Sequence, residues 1–264
     1  MPETPAARAR RNILFFYAGT LLLAALGGLL MPSSQPGGSL LFILSPLLMV
    51  LVARSVLGDG WQDAGLRLEF STSWRWYLFA LLFFPIVFLA VVSFNVAVGW
   101  TRLSLPLPQL MAPLLGGFAV QLVPRMLFAL SEEWAWRGYL EPRLALLGTP
   151  DLPRHVAVGI VWGLWHFPFI LTTDYTTAPL ILFLLLFMIG VILMALIYGR
   201  MRSSSRSVWP AVLMHGVGNA LAFAILGPKL ISYQHELLGG IQTASLGVLA
   251  ALAVAALLVW RRRG

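Results

Sequence analysis

Runs of apolar residues, each about as long as a bilayer is thick, recur along this chain and restrict its fold more than any other feature. A membrane-crossing helix needs about 17–25 apolar residues. Eight stretches approach that length, at 12–31, 40–57, 76–99, 109–147, 155–173, 179–199, 208–227 and 240–260. The fourth is too long for a simple span, and its last turns (Arg137 to Leu147) are expected to emerge or run along the interface. Turn-rich segments such as "MPSSQPGGS", "GDGWQDAG" and "GTPDLP" punctuate the runs. Composition agrees: 59% of residues are hydrophobic, 11% are charged and the mean hydropathy is +0.85, which leaves too little polar surface for a water-soluble domain. The expected fold is all-α, a polytopic transmembrane bundle of about eight helices in a single integral-membrane domain, 1–264. Helices 1–3 occupy 1–108, a core of helices 4–7 occupies 109–227, and helix 8 occupies 240–260.

The absence of cysteine removes disulfides, thiolate zinc sites and a thiol nucleophile. A net charge of +8 could suggest nucleic acid as a partner, but the arginines sit in short clusters between apolar runs, the pattern of membrane orientation rather than phosphate tracking. Arg8, Arg10 and Arg11 precede the first run, and the first connection has no basic residue. Arg54, Arg67 and Arg75 fill the second connection, Arg143 and Arg154 the fourth, Arg200, Arg202 and Arg206 the sixth, and Arg261, Arg262 and Arg263 the tail. The connections between them hold one basic residue or none, so both termini are expected in the cytoplasm of a cell-membrane protein, a bacterial inner-membrane one. No A-x-A-like site follows the first run, which favours an uncleaved helix over a signal peptide.

Polar side chains are concentrated in three runs. The fourth holds Gln121, Arg125, Glu132, Glu133 and Arg137; the fifth holds His166; the seventh holds His215 and Asn219. Ionisable groups in membrane helices face a bundle interior or wet cavity, so helices 4, 5 and 7 should line a polar cavity with the others as apolar walls. Glu133 and Arg137, four apart, share a helix face and can pair. Glu132 is turned about 100° from Glu133 and about 140° from Arg137, so it is the carboxylate left for other work. A carboxylate in a poorly hydrated cavity suits general-base catalysis. Pro168 predicts a kink beside His166. His215 and Asn219, again four apart, offer an imidazole and an amide as oxyanion donors, with Gly216 and Gly218 permitting close approach of a neighbour. Arg125, inside the fourth run, could bind a substrate carboxylate or pair with a neighbour. His155 and His235, in connections, are expected to be solvated.

These residues fall into three motifs in order: Glu132-Glu133-x-x-x-Arg137, Trp162-x-x-x-His166 and His215-x-x-x-Asn219. Together they resemble the CPBP family, the CAAX-protease and bacteriocin-processing (Abi-type) intramembrane proteases related to the type II CAAX prenyl proteases. The region of resemblance runs from about 130 to 220, with Trp162 where that family commonly has phenylalanine, a change expected to alter pocket shape more than chemistry. The resemblance implies an intramembrane glutamic endopeptidase acting on a membrane-associated protein or peptide. Glu132 and His166 would hold and activate a water, His215 and Asn219 would stabilise the oxyanion, and Glu133 and Arg137 would support them. Trp162 and Arg125 are the substrate-pocket candidates.

No cofactor is expected. The alternative is zinc on Glu132, His166 and His215, but the histidines lack metal-ligand spacing and asparagine is a poor zinc ligand. Two other functions compete. A proton-coupled transporter also uses Glu and His chains, although the first four runs offer no repeat of the later motifs. The other is a non-catalytic scaffold or a bacteriocin self-immunity membrane protein; the intact motifs argue against lost catalysis but not against an immunity role that uses catalysis.

Overall fold

The computed structural model describes residues 4–31 and 36–240. In order along the chain come α1 (Pro5–Leu30), α2 (Pro36–Ser55), α3 (Phe70–Ala97), β1 (Thr101–Leu103) and α4 (Leu107–Ala135). A single wide turn, Trp136–Leu140, joins α4 to α5 (Glu141–Leu146). Then follow α6 (Asp151–Thr172), α7 (Leu180–Ser205), α8 (Trp209–Leu226), β2 (Ile231–Tyr233) and α9 (Glu236–Gly239). Helices dominate because a bilayer offers a backbone no partners, and a helix satisfies its own amides and carbonyls. Among the described residues, seven helices are long and apolar enough to cross a membrane, α4 and α5 counting as one continuous helix of 40 residues. The chain is an all-α, multi-pass membrane bundle. The expected eighth span lies outside the described residues.

The outer faces are apolar, whereas the interior holds rings such as Trp136 and Trp165 together with charged groups such as Glu133 and Arg137. Large apolar groups such as Leu29, Leu89, Val120, Val123 and Ile181 are two-thirds or more exposed on the outer faces. Water would penalise them; lipid tails do not. Small residues also lie at the helix contacts, with Ala9, Ala24, Ala53, Ala80, Ala129 and Ala211 fully buried. Without a hydrophobic drive between helices in lipid, association depends on close backbone approach, which small residues permit. At Gly216 a Cβ would meet Met126 Sδ at 2.3 Å and Cα at 3.1 Å, so α8 presses directly on α4 there. Gly218 likewise faces the Phe84 ring of α3, as the two-glycine spacing leads one to expect.

The two ends of the bundle differ. At one end β1 pairs antiparallel with β2, Arg102 opposite Ser232, clasping the start of α4 to the exit of α8. At the other end α2, α4 and α7 finish while α6 and α8 begin, and here charged side chains gather. Asp151 opens α6 and Arg202 lies in the last turn of α7, each the favourable sign for its helix end. The segment between α2 and α3 folds back over this end, anchored by its aspartates. Arg143 pairs with Asp59 at 3.5 Å and also with Asp63, Arg54 pairs with Asp63 at 2.8 Å, and the Tyr139 hydroxyl donates to Asp59 at 2.8 Å. Gly65 in this segment has φ +70°, and a Cβ there would stand 2.6 Å from Arg202 Nη2. The turn therefore requires glycine, and a Cβ there would also displace the guanidinium.

The helix continues through Arg137 to Leu146, with Arg137, Gly138 and Tyr139 buried and Ala145 and Leu146 exposed at the charged end. One expectation needs correction. His155 is not in a solvated connection but in α6, 1% exposed, with Nδ1 2.9 Å from Glu141 Oε1. A helix starting at Asp151 puts it one turn inside the bundle, where a carboxylate meets it. His235 is exposed, as expected.

Candidate active site

The wide turn at the end of α4 shapes the site. Over Trp136–Leu140 the helix loosens to hydrogen bonds spanning five residues, the Glu141 amide donating to the Trp136 carbonyl. Such a bulge leaves carbonyls short of amide partners, and such turns concentrate at functional sites. Here arginines supply the donors. Arg202 Nε donates to the Arg137 carbonyl at 3.2 Å, and Arg54 Nη2 donates to the Gly138 carbonyl. Arg54 also donates to the Gly60 carbonyl, so one guanidinium ties the α2–α3 segment to the bulge.

Immediately before the bulge, Glu132 and Glu133 diverge as their helical phase requires. Arg137 Nη1 donates to Glu133 Oε1 at 3.0 Å, with both side chains fully buried. The guanidinium lies between two aromatic rings, its Cζ 4.5 Å from the Trp162 centroid and 4.6 Å from that of Tyr198. Glu133 Oε1 also takes His215 Nδ1 at 2.9 Å. The pair expected to serve only as support thus also orients a histidine of α8.

Glu132 belongs to the same cluster but faces differently. Its Oε2 accepts from the Trp162 indole Nε1 at 2.8 Å, and its Oε1 stands 3.7 Å from His215 Nε2. His215 is therefore flanked by a carboxylate on each ring nitrogen. On α6, His166 Nδ1 is 2.9 Å from the Trp162 carbonyl one turn back. With the carbonyl as acceptor, Nδ1 carries the proton and Nε2 presents a lone pair in the neutral ring. The rings of Trp165 and Phe187 hold the imidazole edge-on at 4.7 and 5.2 Å. α6 runs through Pro168 without interruption to Thr172.

The expected site residues thus fall into three groups. Glu132, Glu133, Arg137, Trp162 and His215 are joined by direct contacts, and His166 joins them through Trp162. Asn219 lies one turn beyond His215 on α8, half-buried, its amide making no hydrogen bond to the described residues. Arg125 stands apart: Nε donates to Gln121 at 3.1 Å, and the guanidinium stacks on Phe223 at 3.5 Å. Helices α4, α6 and α8 are the expected spans four, five and seven. The sixth, α7, is not merely an apolar wall, because Tyr198 brings its ring within 6.0 Å of His215 and 5.7 Å of Trp162. Its one signal in the sequence is a phenol inside an otherwise aliphatic run, "LMALIYG".

Residues 112–221, from the first turns of α4 into α8, match the family described as Type II CAAX prenyl endopeptidase Rce1-like. Over this stretch, less than half of its length, the chain is similar to the CAAX proteases. The matched segment contains every side chain of the cluster, and the similarity supports a peptidase of the CAAX type in general terms. No curated protein matches the chain. As to metal, no group of three or more His, Asp or Glu converges on a metal position among the described residues. The Nδ1 atoms of both histidines and one oxygen of Glu132 already have protein partners.

Proposed function

We propose that the chain is an intramembrane endopeptidase in which Glu132 activates the attacking water, at the cytoplasmic end of the bundle. The observation that carries this reading is the division of labour at Glu132: Oε2 is held by an indole while Oε1 remains beside His215, in a buried site. Glu132 Oε1 and His166 Nε2 are two acceptors suited to the two protons of one water. That water attacks the scissile carbonyl carbon as its proton passes to Glu132. The carbonyl oxygen becomes an oxyanion facing His215 Nε2 and the Asn219 amide. His215 gives Nδ1–H to Glu133, so Nε2 donates as the imidazolium, a charge that the two carboxylates balance. Collapse of the intermediate breaks the C–N bond, and Glu132 returns its proton to the leaving amine.

The location has independent support. α8 starts at Trp209, so His215 is six residues inside, a depth of about 9 Å at 1.5 Å per residue. The same end carries Arg54, Arg143, Arg154, Arg200, Arg202 and Arg206, as expected of a cytoplasmic face. A membrane-associated peptide reaching from that surface is the substrate class we propose.

The test is hydrolysis of quenched-fluorescence peptides with a free C-terminus, farnesylated and unmodified, by protein purified in detergent. Glu132→Gln should lower kcat/KM by at least about a hundredfold while leaving thermal unfolding unchanged. Treatment with a strong chelator should leave the wild-type rate intact. Equal rates for wild type and Glu132→Gln would refute the reading.

A further inference from the structure

We propose that Trp162 is a positioning residue for Glu132: its indole N–H selects which carboxylate oxygen faces the reacting water. This rests on the function proposed above. The contact is short and sheltered, with Nε1 2.8 Å from Glu132 Oε2, Trp162 5% exposed and Glu132 6% exposed. An indole nitrogen only donates, so it cannot exchange roles with the carboxylate as a hydroxyl could. A free glutamate side chain can rotate its two equivalent oxygens past each other. Tying Oε2 to α6 ends that freedom and leaves Oε1 turned toward His215 Nε2 at 3.7 Å.

The indole is itself immobilised by the rest of the site. Arg137 lies 4.5 Å over its face, Tyr198 packs at 5.7 Å, and the His166 and His215 rings stand 6.0 and 5.6 Å away. Its backbone carbonyl fixes His166 through Nδ1 at 2.9 Å. One residue thereby sets the relative placement of the carboxylate and both imidazoles. Phenylalanine at this position would keep the ring contacts and the backbone carbonyl but would lose the donor. The exchange of tryptophan for phenylalanine therefore changes chemistry as well as shape.

Removing the donor without disturbing the packing separates positioning from a structural role. Trp162 is replaced by β-(3-benzothienyl)alanine, in which sulfur substitutes for the N–H, and by Trp162→Phe. Loss of a hydrogen bond to a charged group should lower kcat on the peptide substrate about tenfold to a hundredfold. KM should stay within about twofold, because the bond does not contact the substrate. In a Glu132→Gln background the same replacements should add little further loss, since the two groups act as a unit. A second readout needs no activity: the indole ¹H–¹⁵N resonance, identified by its loss in Trp162→Phe, should move upfield in Glu132→Gln. Wild-type kcat in the benzothienyl variant, or an indole resonance indifferent to Glu132→Gln, overturns the proposal. A wild-type protein that cleaves none of the peptides counts against the proposed function instead, and the resonance then decides whether Trp162 holds Glu132.

Discussion

Replacing Arg137 with methionine tests whether Glu133 and Arg137 act as one buried unit. Both side chains are fully buried and joined at 3.0 Å, so the substitution strands a carboxylate in the bundle interior. Breaking a buried pair by removing one partner costs about 3–5 kcal/mol. Two features of this site act in opposite directions within that range. Glu133 keeps His215 Nδ1 at 2.9 Å as a second partner, which moderates the loss. The stacks on Trp162 and Tyr198 disappear as well, and a desolvated cation–π contact contributes about 2 kcal/mol. We therefore expect a loss of about 4 kcal/mol, read by equilibrium unfolding in mixed detergent micelles. The double variant Glu133→Gln/Arg137→Met removes both charges and should be more stable than the sum of single losses predicts, by about 2 kcal/mol. It should still be inactive, because His215 loses the carboxylate that orients it. Additive single losses, or an Arg137→Met protein as stable as wild type, would refute the coupling.

Two further outcomes follow from other parts of the structure. Asn219→Ala should lower kcat/KM by about a hundredfold to a thousandfold in the peptide assay, the cost of one oxyanion donor, with little change in unfolding. Arg54→Met removes the donor to the Gly60 and Gly138 carbonyls and one of the two partners of Asp63, and should destabilise the protein by about 3 kcal/mol in the same unfolding measurement.

Much of the site was legible before the structure because helix geometry is local. The four-residue spacing of Glu133 and Arg137 is enough to predict their ion pair, and the one-residue offset is enough to turn Glu132 away from it. Gly216 and Gly218 similarly announced a close approach, which Met126 and Phe84 make. Illegible were the contacts between helices, because a helical wheel specifies a face but not what meets it. The hydrogen bond from Trp162 to Glu132 joins residues 30 apart on α6 and α4. Tyr198 escapes a sequence reading because one phenol in an aliphatic run has no spacing to read. The burial of His155 escapes it because the helix begins earlier than the apolar run does, and its partner Glu141 lies beyond a bulge.

The sequence by itself determined the class of protein, the order of its membrane helices and which three of them carry Glu132, Glu133, Arg137, His166 and His215. Each of those properties follows from the solvation cost of single residues or from spacing within one helix. Only the tertiary structure decided that Glu133 orients His215 as well as pairing with Arg137, that an indole holds one oxygen of Glu132, and that arginines of α2 and α7 satisfy the bulge carbonyls. Those outcomes depend on where side chains from separate helices come within about 3 Å, the range of a hydrogen bond. That distance is set by the packing of small residues between helices, not by the pattern within any one of them.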